Sequence, residues 1–132
     1  MSDAAKTILL VDDDVDFVEA NKLALEAKGF TVITANDSKT GVKLAEEKHP
    51  DLIVIDLMME ELYAGFKAVQ KLHSHDETAS IPVVMVTGIT TETGFRVDSE
   101  DTRPDWLNVV EFVNKPVDPM ALADKVAGLL GG

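Results

Sequence analysis

Carboxylates close two of the apolar runs in this chain. Ile8 to Val11 is followed at once by Asp12, Asp13 and Asp14, and Leu52 to Ile55 is followed by Asp56. A carboxylate at the end of a buried strand has its direction fixed by that strand and sits partly out of water, the setting that a nucleophile or a metal ligand requires. The commonplace role of such a residue is turn former or helix cap. Two further runs end in different chemistry: Ile81 to Val86 leads to Thr87 and Gly88, and Val109 to Val113 leads to Asn114 and Lys115. If Asp12, Asp13 and Asp56 converge, each pair ~4 Å apart repels by roughly 4 kcal/mol at an effective dielectric near 20. Lys115 offsets only one of three negative charges, so the remainder calls for protonation or for a divalent cation. An all-oxygen donor set without His or Cys favours a hard ion, and a small open site suits octahedral magnesium that keeps part of its water.

The elements that must position these groups alternate along the chain. Ile8 to Val11 reads as a first buried strand. Val15 to Lys28 is helical, with Phe17, Val18, Ala24 and Leu25 at helical spacing, Asp14 as cap and Gly29 in the left-handed stop position. Phe30 to Ala35, rich in Thr, Val and Ile, is a second strand, and Ser38 to Lys48 is a helix stopped before Pro50. Leu52 to Ile55 is too short for a helix and reads as a strand buried on both faces, ended by Asp56. Phe66, Val69 and Leu72 mark a third helix. Ile81 to Val86 is a fourth strand with Pro82 at its beginning, where a missing donor is tolerated. Residues 89 to 108 are rich in Thr, Glu, Asp and Gly and are interrupted by Pro104, so at most a short or irregular helix is expected there. Val109 to Val113 is a fifth strand. A last helix has Asp118 as cap, Pro119 in the first position, and Met120, Leu122, Val126 and Leu129 as an apolar stripe assigned to the core.

Five strand and helix alternations predict a parallel sheet covered by helices on both faces, a three-layer flavodoxin-like (βα)5 fold with strand order 2-1-3-4-5. In such sheets ligands bind beyond the carboxyl ends of the strands, near the switch in winding direction. Four of the five ends carry the groups named above. The end of the second strand, Thr34 to Asn36, does not, which agrees with an edge position away from the crevice.

Composition limits the alternatives. The chain has 132 residues and ordinary globular make-up, 45% hydrophobic and 27% charged, so a single domain is expected over 1-132 with its core at about 6-130 and no effector domain. Twelve basic against 24 acidic residues give a net charge of -12, which disfavours direct nucleic-acid binding. Cysteine is absent, which removes disulfides, a thiol nucleophile and sulfur-bound zinc. Met1 to Lys6 is polar and acidic and no apolar run approaches membrane-spanning length, so neither a leader nor a membrane role is expected, and a cytoplasmic location is.

Taken together, four motifs resemble the receiver domain of two-component response regulators: Ile-Leu-Leu-Val-Asp-Asp-Asp (8 to 14), Asp-Leu-Ile-Val-Ile-Asp-Leu-Met-Met (51 to 59), Val-Val-Met-Val-Thr-Gly (83 to 88) and Phe-Val-Asn-Lys-Pro-Val-Asp-Pro (112 to 119). The resemblance implies that Asp56 is the phosphoacceptor, taking a phosphoryl group from a sensor histidine kinase or a histidine phosphotransfer protein. It implies magnesium held by Asp12, Asp13, Asp56 and the Met58 backbone carbonyl, phosphoryl contacts from Thr87 and Lys115, and a Thr87 and Phe112 switch that alters the surface around the fourth and fifth strands for a downstream protein. It also implies a cis Lys115-Pro116 peptide, and a signalling module that takes part only in its own phosphotransfer and autodephosphorylation rather than an enzyme. The chain departs from the family pattern at Glu60, where proline is usual, at Gly65, one position late, and in the length of the segment between Thr87 and Lys115.

Two other functions fit parts of the sequence. A haloacid-dehalogenase-like phosphatase also follows an apolar strand with Asp-x-Asp, which Asp12 and Asp14 match, but no acidic pair on a later strand or cap segment accompanies it. A phosphorylation-independent interaction module would keep the fold alone. His73 and His75 have the look of a metal pair but are expected to be solvated at a helix end near Asp76, and Trp106 is expected to be a packing anchor.

Overall fold

The computed structural model of the chain describes residues 6–56, 64–87, 109–114 and 117–130. Among them are five strands, β1 (Thr7–Val11), β2 (Thr31–Ala35), β3 (Leu52–Asp56), β4 (Val83–Thr87) and β5 (Val109–Asn114). Four helices accompany them, α1 (Val15–Ala27), α2 (Ser38–Lys48), α3 (Ala64–His73) and α4 (Pro119–Leu129). The strands form one parallel sheet in the order β2-β1-β3-β4-β5, the expected winding. The expected short helix in 89 to 108 and the Trp106 anchor lie outside the described residues.

Alternation along each strand divides the core into two layers. Leu9, Val11, Ile53, Ile55, Val83 and Met85 pack with Val42 and Ala45 of α2 and Ala68, Val69 and Leu72 of α3. Ile8, Leu10, Leu52, Val54, Val84 and Val86 pack with Ala24 and Leu25 of α1 and Leu122, Ala123 and Val126 of α4. The central strands are therefore buried on both faces, which is why they read as unbroken apolar runs. Each large side chain removed from water here contributes about 1.5–3 kcal/mol, so strand placement at the core is strongly held.

Helix ends follow local chemistry. Asp14 caps α1 by accepting from the Asp16 and Phe17 amides, Asp37 caps α2 by accepting from Thr40 N–H, and Asp118 caps α4 through Ala121 N–H, ahead of Pro119. Gly29, at φ 99°, takes the left-handed conformation after α1. α2 ends differently, in a left-handed His49 at φ 49°. Pro50 disfavours the right-handed helical region for the residue before it, and no glycine is available there.

Three expectations are corrected. β2 begins at Thr31 because Phe30 N–H is drawn back to Leu25 O at the end of α1. β4 begins at Val83 because Ile81 N–H is taken by Thr78 O and Pro82 has no N–H. In α4 only Leu122 and Val126 of the apolar stripe are buried, whereas Met120 is 49% and Leu129 40% exposed. Residues two apart lie about 200° apart around a helix, so Met120 cannot share the face of Leu122, and Ala123 fills that place instead.

Two details bear on the strand tips. At Gly41 the helix backbone lies so close to β1 that an added Cβ would meet Val11 Cγ2 at 2.8 Å and Cγ1 at 2.9 Å. Between β4 and β5 the register shifts once: Val83 pairs with Val109 but Val84 pairs with Glu111, after which Met85, Val86 and Thr87 pair with Phe112, Val113 and Asn114.

Candidate functional site

Register places the acidic residues together. Val11 pairs with Ile55 across the two central strands, so Asp12 and Asp56 are the next residues on neighbouring strands. Asp56 is also the last residue of β3 and pairs with Val86. One carboxylate oxygen each from Asp12, Asp13 and Asp56 lie within 4.8 Å of one another. Asp12 is fully buried and Asp56 is 4% exposed, while Asp13 is exposed, so two of the carboxyl groups sit inside the protein and the third stands at the solvent side.

Asp12 is held at several points. Its N–H donates to Ala35 O at 3.1 Å, tying it to the end of β2, and its Oδ1 accepts from Asp14 N–H at 2.9 Å. Its carbonyl oxygen takes a long contact from Asn36 Nδ2 at 3.5 Å. The end of β2 thus reaches the site through backbone and amide contacts, a contribution that the sequence did not reveal because Asn36 carries no charge. Asp14 does something other than join the cluster. Its Oδ1 accepts from Asp16 N–H at 3.1 Å and Phe17 N–H at 3.2 Å, and the side chain is exposed. The second carboxylate of the phosphatase-like Asp-x-Asp is therefore committed to a helix cap.

The donor set fits the expected ion. Three carboxylates converge without a sulfur or imidazole ligand, and the exposed side at Asp13 leaves room for the waters that magnesium retains. No other group of three potential ligands of this kind occurs among the described residues. His73 is half-buried and His75 exposed, with His75 Nε2 3.8 Å from Glu46 Oε2, so the expectation of two solvated histidines holds for His75 only. Thr87 closes β4 one residue beyond the partner of Asp56 and pairs with Asn114, the residue before Lys115 in the chain. Phe112 lies opposite Met85 in β5. Met58, Glu60, Lys115 and the Lys115-Pro116 peptide lie outside the described residues, and Gly65 lies within α3.

Fold and site together define an α/β protein with an acidic cluster at the carboxyl ends of the two central strands of a doubly wound sheet. The chain belongs to the response regulator receiver domain family, whose model matches residues 8–127. Receivers are signalling modules. The chain is 33% identical over 128 residues to the protein PilH of Pseudomonas aeruginosa, covering 95% of this chain and 98% of that one. It is 32% identical to the DNA-binding dual master transcriptional regulator RpaA of Synechocystis, but spans only about half of it, 48%. Among solved structures it is similar to a CheY-like receiver domain protein of Methanospirillum hungatei, with a TM-score of 0.77 at 25% identity over 97% of this chain and 95% of that one. A receiver domain of a P. aeruginosa sensor histidine kinase shares the fold, with a TM-score of 0.78 at 19% identity over 98% of this chain and all of that one, and holds a magnesium ion coordinated in its active site cleft. None of the helices among the described residues is long and apolar enough to cross a membrane.

Proposed function

We propose that the chain is a cytoplasmic two-component receiver that accepts a phosphoryl group on Asp56 from the phosphohistidine of a sensor kinase or phosphotransfer protein. The observation that carries this reading is the convergence of Asp12, Asp13 and Asp56 at the tips of β1 and β3, with Asp56 buried in a fixed direction. An Asp56 carboxylate oxygen attacks phosphorus, the bond from phosphorus to the donor imidazole nitrogen breaks, and the imidazole leaves with that electron pair and takes up a proton. Such a transfer asks of the protein mainly alignment and charge neutralisation. Asp12, Asp13, Asp56 and the Met58 carbonyl are the residues that would hold magnesium, which supplies positive charge against the carboxylates and the transferring oxygens. Lys115 and the Thr87 hydroxyl serve the phosphoryl oxygens. Their engagement draws Thr87 toward the new group, and Phe112 responds, so that the surface around β4 and β5 changes for a downstream protein.

The reading is tested by incubating the protein with magnesium and acetyl phosphate and weighing the intact chain. Addition of one phosphoryl group to the wild type, its absence in Asp56→Asn, and its loss on removing magnesium are expected. Label retained in Asp56→Asn, or repeated turnover of the donor that Asp12→Asn abolishes while Asp56→Asn does not, would overturn it in favour of a phosphatase. No label under any condition would favour a module that keeps only the fold.

A further inference from the structure

From the geometry of the 12 to 17 turn we infer that Asp14 is a positioning residue for Asp12, acting through its backbone amide, and that its negative charge is not what the site uses. The inference rests on the proposed magnesium and phosphoryl site. Three contacts carry it. The Asp14 N–H donates to Asp12 Oδ1 at 2.9 Å, the Asp14 Oδ1 accepts from Asp16 N–H at 3.1 Å, and the same oxygen accepts from Phe17 N–H at 3.2 Å. Asp14 N–H thus points at a carboxylate of the cluster while its side chain fastens the same residue to the start of α1. Its backbone is extended, φ -87° and ψ 104°, the conformation in which a capping side chain reaches forward and the amide faces back.

Burial separates the two ends of this link. Asp12 is wholly inside, so the orientation of its carboxylate is set by protein groups, and the Asp14 amide is one of them. The Asp14 side chain is exposed and is not among the three carboxylates that converge. Releasing the cap frees the chain at residues 14 to 16 and loosens the donor on Asp12 Oδ1. A neutral side chain that still offers an acceptor to Asp16 and Phe17 preserves that donor.

The test compares Asp14→Asn, which drops the charge and keeps an acceptor oxygen, with Asp14→Ala, which drops both. Magnesium affinity is measured by calorimetry on the full chain, and the Asp14 amide resonance is followed in the metal-free protein. Asp14→Asn is expected to bind magnesium within about threefold of wild type and Asp14→Ala roughly tenfold more weakly, the low end of what loss of support around a ligand costs. The residue 14 amide is expected to move toward its unstructured position in Asp14→Ala only. Should Asp14→Ala not fold, Asp14→Gly takes its place with the same expectation, since glycine lacks the acceptor yet is tolerated at cap positions. Equal affinities in the Asn variant and its acceptor-free counterpart, or equal displacement of the amide in both, overturn the inference. A wild type that binds no magnesium overturns the proposed function instead, and the amide positions then decide the role of Asp14 by themselves.

Discussion

Replacing Asp13 by asparagine should make the metal-free protein more stable and the magnesium-loaded protein less stable relative to wild type. The three site carboxylates present oxygens within 4.8 Å of one another. At that separation an ionised pair repels by about 3.5 kcal/mol at an effective dielectric of 20 and by about 0.9 kcal/mol at the dielectric of water. Asp13 is exposed, so the lower figure governs its two pairs, and their relief is worth about 1–2 kcal/mol. Magnesium reverses the balance, because a ligand at a hundred times its dissociation constant stabilises the native state by about 2.7 kcal/mol. Losing one of three carboxylates removes most of that gain. Urea unfolding followed by far-ultraviolet circular dichroism, at fixed ionic strength with either chelator or saturating magnesium, measures both quantities. The stability order of wild type and Asp13→Asn should invert between the two buffers. Equal stabilisation of both proteins by magnesium, or a variant less stable than wild type in chelator, would refute the view that carboxylate crowding is the energetic core of the site.

Two further outcomes follow from the helices that flank the site. The Asp37 carboxyl is held below the ordinary aspartate range chiefly by the Thr40 backbone N–H, with the Thr40 side chain adding to it. A depressed native value means that the cap stabilises the protein above the unfolded value, about 3.9, and that this contribution fades as pH falls through the native value. Asp37→Ala should therefore cost about 1 kcal/mol near neutral pH, with the gap from wild type closing below about pH 4 in chemical denaturation. Glycines 41 and 128 should behave oppositely. Gly128 has nothing within 4 Å of an added Cβ, so Gly128→Ala should raise stability by up to about 1 kcal/mol, whereas Gly41→Val forces bulk onto the buried Val11 and should lower it by about 1–3 kcal/mol. Thermal melts of the two variants check this, and a Gly41→Val protein as stable as wild type would contradict the close approach of α2 to β1.

Much of this arrangement is legible in the sequence, for identifiable reasons. Ile8 to Val11 and Leu52 to Ile55 are short and apolar throughout, which only a strand covered on both faces explains, and the carboxylates after them had to emerge at one end of a parallel sheet. Asp14, Gly29, Asp118 and Pro119 are local signals whose meaning does not depend on the rest of the chain, and each sits where its chemistry implied. What escaped was set by short turns that carry no strong signal of their own, by a contact from the neighbouring strand and by position around a helix. Nothing near Ile81 says that Thr78 will take its amide. Nothing in Asn36 says that its side chain will reach the Asp12 carbonyl at the end of the neighbouring strand. Met120 is apolar in type, but its angle around α4 turns it away from the face of Leu122 and Val126. The Asp-x-Asp pattern was ambiguous for a related reason: residue type and spacing fit a catalytic pair and a ligand followed by a cap equally well, and only the hydrogen bonds of Asp14 separate them.

The register shift beside Val83 and Val84 has a mechanical meaning for signalling. Beyond it, β5 keeps step with β4 as far as Thr87 and Asn114. An irregular step in a ladder acts as a slip joint: it takes up a difference in chain length on its near side and leaves the alignment on its far side intact. A change in the length of the chain that enters β5 can therefore be absorbed at this step without moving Phe112 and Asn114 out of register with Met85 and Thr87. The tolerance for a change in length and the fixed pairing thus lie at opposite ends of a single six-residue strand.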